Sequence, residues 1–214
     1  MKLNQIALVS GLVVSGIAVS GVFAPAKALS LTFTDNFNGE NGGVGELNYN
    51  SFNNWTVTDG TVDLIGNGFF DFYPGNGLYV DLDGSSFKAG VLTTKTAFNL
   101  SPGDYILQFD LGGSQRGDTN IVDVALGSVF SKEYIRESSD PLALVTENIH
   151  VSSSTSAFLS FHNLGGDDVG AILDNVSLTS SETTSVPEPL NILGSIAGLA
   201  LFGTTSAALK RKAK

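Results

Sequence analysis

Hydrophobic and polar residues alternate with period two in several short runs. Leu78, Val80 and Leu82 share one side of the chain, with Tyr79 and Asp81 opposite. Tyr105, Leu107, Phe109 and Leu111 do the same against Gln108 and Asp110. Val122, Val124 and Leu126 repeat the pattern, as do Ala157, Leu159 and Phe161. Successive side chains of a strand point to opposite faces, so these runs predict half-buried strands sharing one core. Between them stand turn signals. In Leu100-Ser101-Pro102-Gly103 the Pro-Gly pair suits a type II turn, and Asp83-Gly84, Gly112-Gly113 and Gly165-Gly166 mark further reversals. Residues 114–120 read as a polar loop, and only 132–137 offers a short helical window. The sum is an all-β fold, a two-sheet jelly-roll sandwich over residues 29–179.

Two apolar stretches lie outside this pattern. Residues 6–23 follow Lys2 and precede Ala26-Lys27-Ala28, a small-x-small triplet. This predicts a signal peptide, residues 1–28, with Leu29 as the new N-terminus; an uncleaved anchor is the other reading. Residues 190–209 contain no charge. At about 1.5 Å per residue they span about 30 Å, enough for one C-terminal transmembrane helix. Pro187 and Pro189 suit its start, and Lys210, Arg211, Lys212 and Lys214 follow it. Positive flanks stay in the cytoplasm, which puts the body on the other side. Residues 180–185 form a Ser/Thr linker.

The order Val186-Pro187-Glu188-Pro189, apolar helix, basic tail resembles the PEP-CTERM sorting signal over residues 186–214. That resemblance implies recognition by an exosortase, a membrane-embedded processing enzyme, with cleavage near Pro187-Glu188-Pro189. It also implies a bacterium that makes extracellular polysaccharide and an anchor that is only transient.

Composition then narrows the chemistry. The chain has 214 residues, no cysteine, two histidines and a net charge of −10. Without cysteine there are no disulfides, thiolate metal sites or thiol catalysis. An acidic chain is a poor partner for nucleic acid. Residues 29–186 alone carry 20 acidic against five basic residues, a net charge of −15. Such a body suits divalent cations as partners.

Phe37-Asn38-Gly39-Glu40, Trp55-Thr56-Val57 and Leu173-Asp174-Asn175-Val176-Ser177-Leu178 resemble the galactose-binding-like superfamily of carbohydrate-binding modules. The resemblance implies adjacent first and last strands and a structural calcium held by Glu40 and Asp174. From the residues alone, Asp174 has the parity of Ile172, Val176 and Leu178 and is expected to face inward. There it must be paired, hydrogen-bonded or metal-bound, and both a calcium ligand and a cap on local backbone N–H groups satisfy this.

Asp81-Leu82-Asp83-Gly84 opens like an EF-hand loop, but Leu92 stands where the twelfth-place Glu belongs. It reads as acids at a strand end, and Asp35, Asp167 and Asp168 as loop acids. The segment 69–77 gathers Phe70, Phe72 and Tyr73 beside Asn76. Its rings either stack on sugar faces or, the weightier reading, fill the end of the sandwich as core. Trp55 is expected in the core. Arg116 carries a guanidinium able to fork onto a carboxylate or a uronate. No nucleophile elbow, zinc-protease motif or phosphate loop is present, and His150 and His162 lack ligand spacing.

These observations predict an exported, surface-displayed, non-catalytic sandwich. It binds extracellular polysaccharide or glycan through Phe70, Phe72, Tyr73, Asn76 and Arg116 and is processed by an exosortase-like enzyme. The alternative is a matrix or adhesion protein stiffened by calcium, with no small ligand.

Overall fold

The computed structural model describes residues 30–181. The signal peptide, the sorting signal and the apolar segment 190–209 lie outside the described residues. Among those described, no helix is long and apolar enough to cross a membrane.

The fold is an all-β sandwich of two main sheets. In the first, β10 (Ala143–Val151), β7 (Gly103–Gly112), β13 (Ile172–Ser180), β4 (Leu78–Asp81) and β3 (Asp63–Gly66) lie in that order. β1 (Thr32–Asp35) pairs antiparallel with the far half of β13, so the first and last strands are neighbours. The second sheet runs β2 (Trp55–Thr58), β5 (Val91–Thr94), β12 (Leu159–Asn163), β8 (Thr119–Leu126), β9 (Phe130–Glu137). β6 (Phe98–Leu100) and β11 (Thr155–Ala157) make a small two-stranded ribbon.

The alternating runs face the core as expected. Leu107, Phe109, Leu111, Val122, Val124, Leu126, Leu159 and Phe161 are all fully buried between the sheets. Leu100 ends β6 and Gly103 opens β7, with Ser101-Pro102 as the turn between.

Three local readings change. Residues 132–137 belong to strand β9, not a helix: Tyr134 points into the core while Glu133 and Ile135 stay exposed, a two-residue period. In β4, Tyr79 and Asp81 do lie opposite Leu78 and Val80, yet all four are buried. The outer face of β3, β4 and the start of β13 is covered, because the loop 67–77 folds back over it. Ile65, Tyr79 and Ile172 form a second small core there against Phe69, Phe72, Tyr73 and Leu142. Finally, β13 shifts register against β7 between Asp174 and Ser177, with Asn175 at φ 48°. This bulge inserts one residue and reverses the side-chain parity. Leu173, Val176 and Leu178 face the main core, whereas Ile172 belongs to the outer one. Asp174 keeps the face of Ile172 but not that of Val176 and Leu178, so it lies opposite Asp110 on the outer side.

Candidate functional site

The aromatic loop is built by the fold around it. Tyr79 donates its hydroxyl to Asp71 (3.0 Å) and accepts the N–H of Tyr73 (2.9 Å). Asn76 fastens the loop to itself by donating to the Tyr73 carbonyl at 2.8 Å. The Tyr73 hydroxyl lies 2.7 Å from the carbonyls of Gly113 and Asp140 and accepts from Gln115. Arg116 stacks over the Phe72 ring at 5.2 Å, donates to the Asp168 carbonyl and forms an ion pair with Asp81. The structure thus gathers Phe72, Tyr73 and Arg116, and their polar atoms are engaged within the protein. Phe70 differs. Its ring is 54% exposed, and its backbone sits at φ 44°, a conformation bulky residues rarely adopt. An exposed ring on a strained, tightly bonded loop is presented to solvent rather than stored as core.

Burial raises the Asp81 carboxyl well above the usual carboxylate range, offset in part by Arg116 and by N–H groups of Asp83 and Gly170. His150 meets Asp104 in an exposed pair. His162 lies half-buried in β12.

A crevice of about 480 Å³ opens between β1, β13 and the loops that follow β1. Thr34, Asp35, Asn36, Gly39, Glu40, Asn53, Asn54, Asn175, Val176 and Ser177 line it. Asp35 shapes its floor by accepting from the Trp55 indole N–H and the Asn54 amide, both at 2.9 Å. Glu40 is buried, and its two oxygens accept the Asn53 N–H at 2.9 and 3.0 Å. Asn53 itself is exposed and lines the crevice.

Glu40 lines the crevice, and Asn175, which also lines it, donates to Asp174 and to Asp110. The donors are oxygens, as calcium requires, yet among the described residues no three acidic or histidine side chains have the spacing of a metal site.

Asp174 instead behaves as an enclosed acid. Burial pushes its carboxyl up to about 7, with Asp110 and Asp35 adding to the rise and the Asn175 N–H opposing it. Between about pH 4 and 7 the folded chain holds a proton that the unfolded chain has released. Stability is thus expected to fall as pH rises through that window. Asp174→Asn should flatten this dependence and be the more stable chain at pH 8, by on the order of 2–3 kcal/mol. Urea unfolding of both proteins from pH 4 to 8, in chelator, measures it.

The lining residues Asp35, Asn53, Asn54 and Asn175 were not among the sequence candidates. A signal existed: residues 36–54 contain seven asparagines between core aromatics, a density of amide groups that marks a polar loop surface.

No family model and no curated protein matches the chain. Solved structures similar to it include carbohydrate-binding modules and an adhesin domain. One is the C-terminal CBM6 of LamC from Zobellia galactanivorans, at 12% identity over 70% of this chain and 100% of that one, TM-score 0.39. Another is CBM35 from Paenibacillus barcinonensis, at 18% identity over 62% and 98%, TM-score 0.39. A third is the K1 cleaved adhesin domain of Lys-gingipain from Porphyromonas gingivalis, at 13% identity over 71% and 99%, TM-score 0.48.

Proposed function

We propose that this is an exported, non-catalytic glycan-binding sandwich and that the crevice beside β1 and β13 is its binding surface. One observation carries the reading: a space of about 480 Å³ walled by four asparagines, Asp35, Glu40, Thr34 and Ser177. Asparagine both donates and accepts, and carboxylates accept, which together match the alternating hydroxyls of a sugar. Phe70 adds an apolar face to the same region. The Glu40–Gly43 turn separates it from the crevice: the Gly43 carbonyl accepts from Asn67, and the Phe69 ring packs against Gly45. A sugar chain crossing that turn meets hydrogen-bonding groups on one side and a ring on the other. The enclosed acids Asp81, Asp83 and Asp174 are wholly or almost wholly buried, which suits binding rather than acid–base work on a substrate.

Export rests on the residues of the two ends. Ala26-Lys27-Ala28 marks removal of the leader, and Pro187-Glu188-Pro189 with the basic tail marks processing by an exosortase-like enzyme. Intact masses of the protein from membranes and from medium are expected to lack residues 1–28 in both and the tail in the second. A full-length mass in both fractions refutes this part.

For the binding surface, a polysaccharide screen with the full-length protein is expected to return a glycan ligand. Asn53→Ala, which removes an exposed amide, should then weaken affinity about two- to tenfold, the worth of one or two hydrogen bonds. Asn148→Ala on β10 serves as the control and should leave affinity unchanged. Equal affinity for both variants and the unaltered protein removes the crevice from consideration.

A further inference from the structure

Three acids are enclosed where the β3–β4 hairpin meets the loops beyond it: Asp63, Asp81 and Asp83. Two have complete partner sets. Asp63 accepts N–H groups of Asn48 and Ser85 on one oxygen and the Ser85 hydroxyl on the other. Asp81 accepts N–H groups of Asp83 and Gly170 on one oxygen and Arg116 on the other. Asp83 is different. Its Oδ2 accepts the Asp167 N–H at 3.3 Å, but its Oδ1 has no partner, although the residue is 0% exposed. A bare buried carboxylate oxygen is costly, and folds do not leave one without a reason.

The surroundings sharpen the demand. Asp167 and Asp168, on the loop between β12 and β13, add like charge to the burial that raises the Asp83 carboxyl. Arg116, the guanidinium at this end, is taken up by Asp81 and the Asp168 carbonyl. Asn163, also 0% exposed, leaves its Nδ2 unpartnered beside the same spot. A Cβ placed on Gly165 would lie 2.6 Å from both Asn163 Nδ2 and Asp83 Oδ2, so one glycine covers both side chains. What is missing is a small positive charge that prefers oxygen.

We propose that this end of the sandwich binds a divalent cation, calcium, between Asp83 and the loop 164–168. Asp83 Oδ1 is the fixed donor. Asp167 and Asp168 supply carboxylates from the loop, and water completes the shell. Six to eight oxygens in an irregular, adjustable cage suit calcium, whereas the absence of sulfur and imidazole donors disfavours zinc. The acids stand farther apart than a closed metal site requires. Binding therefore draws Asp167 inward over Gly165-Gly166. The proposal is separate from the glycan reading, and its site lies away from Glu40 and Asp174.

Calcium titration of the full-length protein, by calorimetry and by thermal unfolding, tests it. One ion per chain is expected, with a Kd on the order of 0.1–1 mM, as in extracellular calcium modules. At 10 mM calcium the melting temperature should rise by about 3–8 °C. Asp83→Asn and, independently, the exposed Asp167→Asn should each weaken binding about tenfold or more, while Glu40→Gln leaves it unchanged. In chelator Asp83→Asn should be at least as stable as the unaltered chain, with the order reversed in calcium. If Asp83→Asn does not fold, Asp167→Asn decides. No calcium-dependent shift, a shift that survives both variants, or one lost in Glu40→Gln overturns the proposal.

Discussion

Replacing Trp55 by alanine is expected to destabilise the domain by about 4 kcal/mol, within the range seen when a buried tryptophan is deleted. Trp55 is fully buried at the start of β2. It meets Phe33 and Phe161 edge-on, both with ring centroids 5.8 Å away, and Phe37 at a tilt at 6.0 Å. These rings come from β1, β12 and the loop after β1, so a single side chain ties the two sheets and the wall of the crevice together. Its indole N–H also holds Asp35 at 2.9 Å. The alanine variant loses this bond as well as the ring. Urea unfolding should show the lower midpoint, and any glycan affinity should fall with it, because Asp35 is freed to move. Trp55→Phe keeps most of the packing and removes the indole donor. A smaller loss of stability with the same loss of affinity would separate the two roles.

Arg116→Met is expected to cost about 3 kcal/mol, because it leaves Asp81 enclosed with no opposing charge. The Asp81 side chain is only 2% exposed, whereas that of Arg116 is 26% exposed and reaches solvent. The pair is therefore asymmetric: Arg116 can return to water and Asp81 cannot. Without the guanidinium, the Asp81 carboxyl rises further above its usual range and holds its proton to higher pH. The loss should thus grow as pH increases, since the unfolded chain releases that proton earlier. Pairing Arg116→Met with Asp81→Asn should recover part of the stability, and the difference in a double-mutant cycle measures the coupling. Arg116→Met that unfolds like the unaltered protein at pH 8 would remove the ion pair from any structural role.

The strand pattern was legible because burial on one face imposes a period of two, and the runs at 105–111, 122–126 and 157–161 display it. Where the period failed, a tertiary cover was at work. β4 reads as half-buried, yet the loop 67–77 closes over Tyr79. Residues 132–137 were ambiguous because a short window with one inward ring fits both periods. Among the site candidates, Arg116 and Phe72 do meet, but across loops more than forty residues apart in sequence, and what holds Arg116 is Asp81 and the Asp168 carbonyl. No spacing rule announces such a contact.

By itself, the sequence determined the class of fold, the approximate strands, the burial of Trp55 and the strongly acidic character of the body. All of these follow from local composition and periodicity, which act over a few residues. The tertiary structure alone decided where the polar atoms go. One extra residue at Asn175 turned Asp174 to the outer face, and the return of β1 to β13 opened a crevice beside Asp35 and Glu40. Burial of Asp83 where β4 meets the loop before β13 left one carboxylate oxygen bare. Hydrogen bonding is short-ranged and directional, so its outcome depends on which distant strands become neighbours, and that is settled only when the two sheets close on each other.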